Sequence, residues 1–270
     1  MRAHRGATRL LPGARWSRRR DRDAHRAVSL DPARARTWHR LGIGPLWIVR
    51  SAPAEAPRGE VSASIPAGEE TRAIRIARMD WQELRNAVAA CTECALCKSR
   101  KQTVFGVGFQ SARWMLVGEA PGAEEDQRGE PFVGQAGRLL DNMLGAAGLT
   151  RAGETEQSVY IANVLKCRPP GNRNPEPSEV ALCEPFLLRQ VQLVQPRVVV
   201  VMGRFAAQSL LRTDSTIASL RGRVHHIDVA GRSVPVVVTY HPAYLLRNLA
   251  DKAKSWADLC LAREIYERGD

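Results

Sequence analysis

No run of eighteen apolar residues occurs in this chain, so a membrane-spanning helix is not expected. The arginine-rich start has no apolar stretch of the kind a secretory signal needs, so secretion is not expected either. That start is poor in acids and loosely matches a transit peptide in composition alone. No internal repeat is present. Acidic residues are scarce at one end only. Residues 1–75 hold sixteen arginines against seven acids, whereas residues 76–270 hold twenty-four Lys and Arg against twenty-one acids. Most of the net charge of +12 therefore sits in the N-terminal segment. Such a segment suits nucleic acid or another anionic surface, or is simply solvated.

Apolar periodicity is also lacking before residue 79. Arg, Ala, Pro and Gly dominate there, and residues 1–78 are expected to be a disordered basic extension. Met79 opens MDWQELRNAVAAC, where Trp81, Leu84 and Val88 share a helical face. The folded domain is accordingly placed at residues 79–270. From residue 114 on, apolar β-type runs at Trp114–Val117, Val159–Ala162, Arg197–Met202 and Val234–Thr239 alternate with helical patterns. The helices are expected at Gln135–Ala147, Ser178–Val194, Arg204–Leu211 and Lys252–Glu267, with Ser178 as an N-cap. This alternation predicts an α/β fold, three-layer α/β/α, with a central, mostly parallel four-stranded sheet. Ligands in such folds bind beyond the C-terminal ends of the strands.

The cysteines carry the strongest signal. Cys91 and Cys94 form a C-x2-C, and Cys167 and Cys183 follow some seventy residues later. In a reducing compartment this pattern reads as metal binding rather than disulfides, hence a cytoplasmic location. Four sulfurs suit either zinc or an iron–sulfur cluster. Cys97 extends the first pair toward a ferredoxin-like run, but the fourth cysteine of that run is missing, because residue 101 is Lys. Cys97 is then a spare thiol, and Cys260 a small apolar residue of the last helix.

Three motifs follow strands. Gly118-Glu119-Ala120-Pro121-Gly122 has small residues that let a backbone approach a ligand, and it leads into Glu124, Glu125 and Asp126, then Pro131-Phe132-Val133-Gly134. Phe132 is either core or a ring for stacking on a base. Asn163 ends a strand and is either a turn residue or an amide that reads a base edge. His241-Pro242-Ala243-Tyr244-Leu245-Leu246-Arg247 offers a histidine fixed at a strand end, two leucines that are either ordinary helix core or, in a DNA enzyme, a wedge for the stack, and beside them an arginine that would then bind phosphate. His225 and His226 read as surface residues near a hairpin.

Taken together, CTEC, VFGVG, GEAPGAEEDQRGEPFVGQAGRLLDNML, YIANVLKCRPPGNRNPEPSEVALC, VVVVMGRFAAQSLL and HPAYLLR resemble the family 4 uracil-DNA glycosylases, the iron–sulfur branch of the uracil-DNA glycosylase superfamily. The resemblance spans residues 79–270. A related branch that links covalently to DNA carries an Arg-Arg-Ile-His stretch after its KCRP-like segment. Here that loop reads Pro-Gly-Asn-Arg-Asn-Pro over residues 170–175, so no covalent capture is expected. The resemblance implies a [4Fe-4S] cluster on Cys91, Cys94, Cys167 and Cys183. It implies a uracil site formed by Gly118, Glu119, Ala120, Glu125, Phe132, Asn163 and His241, with Leu245, Leu246 and Arg247 on DNA. Glu119, His241 and Asn172 are the catalytic candidates. The best-known branch of the superfamily has a catalytic Asp where Ala120 stands, so the group that activates water is open between Glu119 and Asn172. The expected partner is uracil-containing DNA, single- or double-stranded, acted on by a monomer. A non-catalytic DNA-binding or electron-transfer protein, or a glycosylase of wider scope, are the alternatives.

Overall fold

The computed structural model describes residues 71–268, all within one compact unit. The extension over residues 1–70 lies outside the described residues. Six strands are present among those described, where the sequence pattern shows four: β1 (Val107–Gly108), β2 (Trp114–Gly118), β3 (Val159–Asn163), β4 (Val198–Met202), β5 (Val224–Val229) and β6 (Arg232–Thr239). They form one sheet in the order β1-β3-β2-β4-β6-β5. The inner four are parallel and stand where the sequence places them. The two further strands are antiparallel edges. β1 is two residues long, too short for a pattern. β5 alternates only weakly, with His225, His226 and Asp228 among its residues.

The inner strands are apolar on both faces because both faces are covered. One face carries Met115, Val117, Val199, Val201, Val236 and Val238 against Leu187 and Val191 of helix Pro177–Val194 and Ala206 and Leu210 of helix Arg204–Leu211. The other carries Leu116, Ile161, Val198 and Val200 against Leu140 and Leu144 of helix Gln135–Ala146 and Leu259, Ala262 and Ile265 of helix Lys252–Arg268. The three-layer arrangement thus follows from strand periodicity of two meeting helical stripes on each side. Helix Pro177–Val194 starts one residue before the expected Ser178 cap. Glu176 is its N-cap, its N–H donates to Glu179 at 2.9 Å, and Pro177 occupies the first turn, where no N–H is needed.

Ordered structure reaches upstream of Met79. Arg72–Arg78 forms a helix, Ile76 is buried beside Leu84, Val88 and Phe186, and Arg72 Nη1 donates to the Leu182 carbonyl at 2.7 Å. One buried isoleucine makes no periodic signal, which is why the sequence pattern starts later. Helix Trp81–Ala89 follows, closed by a capping box between Asp80 and Glu83.

Candidate functional site

β3 lies on one side of β2 and β4 on the other, so the chain reverses its direction of travel across the sheet at β2. The loops beyond that point surround a cavity of about 480 Å³ lined by Glu119, Ala120, Glu125, Phe132, Asn172, His241 and Arg247, among others. Behind Phe132 lie Gly118 and Asn163. A side chain at Gly118 would collide with the Asn163 amide and the tip of the Phe132 ring, so only glycine lets the two meet. Phe132 has a left-handed backbone, with φ of 56°. It is held there by Glu125, which accepts from the Phe132 N–H at 2.6 Å and from the Gly122 N–H with its other oxygen. Both Glu125 oxygens are thereby occupied in shaping the loop, and burial raises its pKa.

Asn163 is 1% exposed, and neither its Nδ2 nor its Oδ1 has a partner within the protein. A buried donor and acceptor left open together cost about 1–3 kcal/mol each, and this pair lies behind Phe132, which lines the cavity. Phe132 stacks on His241, with ring centroids 5.3 Å apart. His241 Nδ1 accepts from the Ala243 N–H at 3.1 Å. The remaining ring nitrogen, Nε2, therefore carries the proton of the neutral imidazole. Burial, with Arg247 adding to it, lowers the His241 pKa to about 4, so the ring is neutral at pH 7. Glu119 shifts the opposite way. Burial raises its carboxyl to about 7, partly offset by Arg204.

The four expected cysteines meet in a second, smaller cavity. Cys91, Cys94, Cys167 and Cys183 line it together with Arg100, Lys166 and Phe186. All four are free thiols, and Cys97 and Cys260 do not line that cavity. Among the described residues, no three His, Cys, Asp or Glu side chains converge on one point that could hold a metal ion. Donors point at the sulfurs. Arg100 Nη1 donates to Cys167 Sγ at 3.0 Å, the Lys166 N–H to Cys183 Sγ at 3.3 Å, and Arg72 Nη2 to Cys91 Sγ at 3.8 Å. Burial pushes the Cys183 thiol up to about 11 and raises Cys94 and Cys167 as well. Thiols so placed are not nucleophiles. They become thiolates when a cationic centre draws them, and the four-sulfur donor set around this cavity suits such a centre.

Leu245 corrects the expected DNA-contact set. It is fully buried, whereas Leu246 is 39% exposed, so Leu245 belongs to the core and Leu246 to the surface. The short helix Pro242–Leu245 ends between them, and its turn sends one leucine into the core and the next outward. Arg247 is exposed at the cavity rim. Asn172 also lines the cavity, with a φ of 54°, and its Oδ1 accepts from Arg168 at 2.7 Å. His225 is not free, since its Nε2 meets the Leu220 carbonyl at 2.7 Å. A larger cavity of about 570 Å³ lies across Glu119, between helices Pro177–Val194 and Arg204–Leu211. Sequence reading missed Arg72, Arg100, Lys166 and Gln190. Only Lys166 had a signal, a charged residue between a strand end and a metal-type cysteine.

A family profile described as the uracil DNA glycosylase superfamily matches residues 105–260. The chain is 45% identical to a Type-4 uracil-DNA glycosylase of Archaeoglobus fulgidus, over 59% of this chain and 79% of that protein. It is 39% identical to a Type-4 uracil-DNA glycosylase of Pyrobaculum aerophilum, over 68% of this chain and 93% of that protein. A Type-5 uracil-DNA glycosylase of the same organism is 35% identical, over 61% of this chain and 83% of that protein.

Proposed function

This chain belongs to the uracil-DNA glycosylase superfamily and is a uracil-DNA glycosylase of its type-4 branch, and on that footing we propose how its residues remove uracil. The target base cannot be reached within the stack, so it flips into the cavity at a cost of a few kcal/mol. The open amide of Asn163 carries this reading. Its Nδ2 donates to uracil O4 and its Oδ1 accepts from N3–H. Cytosine presents those two positions with the opposite polarity and leaves both amide atoms opposed. Phe132 stacks on the base. Glu125 acts on selectivity through the backbone it holds. Leu246 fills space in the DNA stack and Arg247 holds a phosphate.

As the C1′–N1 bond breaks, negative charge grows on the uracil ring and positive charge on the sugar. Neutral His241 donates from Nε2 to uracil O2 and stabilises the leaving anion without first losing a proton to water. Glu119, ionised above about pH 7, orients the attacking water and faces the sugar cation. Asn172 is tied to Arg168 and is the weaker candidate for holding that water. Cys91, Cys94, Cys167 and Cys183 would hold a [4Fe-4S] cluster. When bound, it supplies a rigid cross-link between the N-terminal helices, the segment after β3 and helix Pro177–Val194.

The test is a labelled uracil-containing strand, assayed for an abasic product, alongside Asn163→Asp. The wild-type enzyme should excise uracil and leave cytosine. The variant should lose uracil excision and gain some on cytosine, because a carboxylate accepts where the amide donated. Full rate and full discrimination in the variant would make Asn163 a turn residue only.

A further inference from the structure

We propose that the buried ammonium of Lys166 is the fixed counter-charge of the four-cysteine centre and, by gripping the backbone of Asn163, the positioning residue that ties the base-reading amide to that centre. The inference rests on the iron–sulfur reading above. Lys166 is 1% exposed, the bulkiest of the fully buried side chains. Its Nζ donates to the Asn163 carbonyl at 2.8 Å and to Gln190 Oε1 at 2.6 Å. Both acceptors are neutral. Gln190 is fixed in that orientation, because its Nε2 donates to the Phe105 carbonyl at 2.8 Å and to the Tyr160 hydroxyl at 3.1 Å. No carboxylate pairs with Lys166 among the described residues. Lys166 lines the cysteine cavity together with Cys91, Cys94, Cys167 and Cys183.

An ammonium buried without a compensating anion is strongly unfavourable. Four thiolates around an iron–sulfur core are net negative, and Lys166 lies between two of their carriers. Its backbone N–H, not its ammonium, donates to Cys183 Sγ, and Cys167 is the next residue. Arg100 and Arg72 also address the sulfurs, but both are partly exposed, so water screens their charge. Lys166 is enclosed and unscreened. A fixed positive charge there favours the reduced cluster, which carries one more electron. The same side chain folds back on the carbonyl of Asn163, so the charge balance of the cysteine cavity bears on the residue that carries the open amide.

The experiment is a mediated redox titration of the cluster-loaded full chain, with iron content measured on the same samples. Lys166→Met should keep iron while shifting the reduction potential negative. The expected shift is equivalent to about a tenfold change in the oxidised-to-reduced ratio, about 59 mV for one electron. Single-turnover uracil excision should fall about tenfold as the Asn163 carbonyl loses its donor. A loaded variant with unchanged potential overturns the counter-charge role, and one with an unchanged rate overturns the link to Asn163. If Lys166→Met does not fold, Gln190→Glu decides. It sets a carboxylate against Nζ at nearly constant volume, and it should shift the potential the same way. An unchanged potential there overturns the proposal. Iron-free wild-type protein would sink the iron–sulfur reading itself, whereas loaded enzyme with a potential insensitive to both changes sinks only this inference.

Discussion

The base cavity and the cysteine cavity hang from the same strand end, along Asn163–Cys167, and treat their polar atoms in opposite ways. In the base cavity the protein leaves both ends of the Asn163 amide open and spends its own hydrogen bonds on shaping the walls, as Glu125 does for Phe132 and Gly122. In the cysteine cavity the sulfurs are already met by Arg100, Arg72 and the Lys166 N–H. Buried polar groups are paired almost everywhere in proteins. On the function proposed above, the unpaired amide awaits a base that comes and goes, and the sulfurs with donors already supplied belong to a centre that stays.

The sharpest way to break this contrast is to remove a sulfur. Cys167→Ser should lose iron, the melting transition and activity together, because metal binding is then folding free energy. Cys97→Ser and Cys260→Ser should keep all three, measured by iron-to-protein ratio and thermal melts. If Cys167→Ser keeps its iron and its stability, the second cavity is not the permanent centre.

Next in size is His241→Ala. Loss of one oxyanion donor lowers rates by roughly 10²–10³-fold elsewhere, and single-turnover excision should fall by that order while affinity for uracil DNA is largely kept. A fall in affinity with an unchanged rate would move His241 from the transition state to the ground state.

The pH profile sharpens the division of labour within the base cavity. With Glu119 raised to about 7 and needed as a carboxylate, excision should rise about tenfold per pH unit below that value and level off above it. Glu119→Gln should be slow and flat. His241, lowered to about 4, should add no second limb between pH 5 and 7. The stability signs are opposed. The Glu119 contribution is present below its ordinary 4.5 and lost as pH rises through about 7. The His241 contribution is present above its ordinary 6.5 and lost as pH falls through about 4.

The smallest expected effects separate contact from core. Leu246→Ala should slow excision from duplex DNA a few-fold with no change in melting. Leu245→Ala should do the reverse at first, costing about 2–5 kcal/mol of stability as a buried leucine does. A chain beginning at Thr71 should match the full chain in cluster content and in rate at saturating DNA. One beginning at Met79 should be less stable by about 2 kcal/mol through loss of buried Ile76. Equal melting of the two shortened chains would return the domain start to Met79.

The inner sheet and its covering helices were legible because they depend on periodicity, and periodicity is local. The apolar runs of β2, β3, β4 and β6 and the stripes of four helices could be read residue by residue. The edge strands β1 and β5 were not, since one is too short and the other too polar to stand out. The cysteines were legible as types and spacings. So were Asn163, Phe132 and His241: the fold brings Phe132 and His241 to one cavity and sets Asn163 behind Phe132.

What the sequence alone determined, then, is which residue types stand at which strand ends, and that follows from the chain's own chemistry and spacing. Only the tertiary structure decided which neighbour faces where and what surrounds it. It turned Leu245 inward and Leu246 outward, closed both Glu125 oxygens on backbone N–H groups, left the Asn163 amide open, and enclosed Lys166 beside the cysteine cavity. Orientation, burial and hydrogen-bond partners are set by segments far apart along the chain, and no local pattern encodes them.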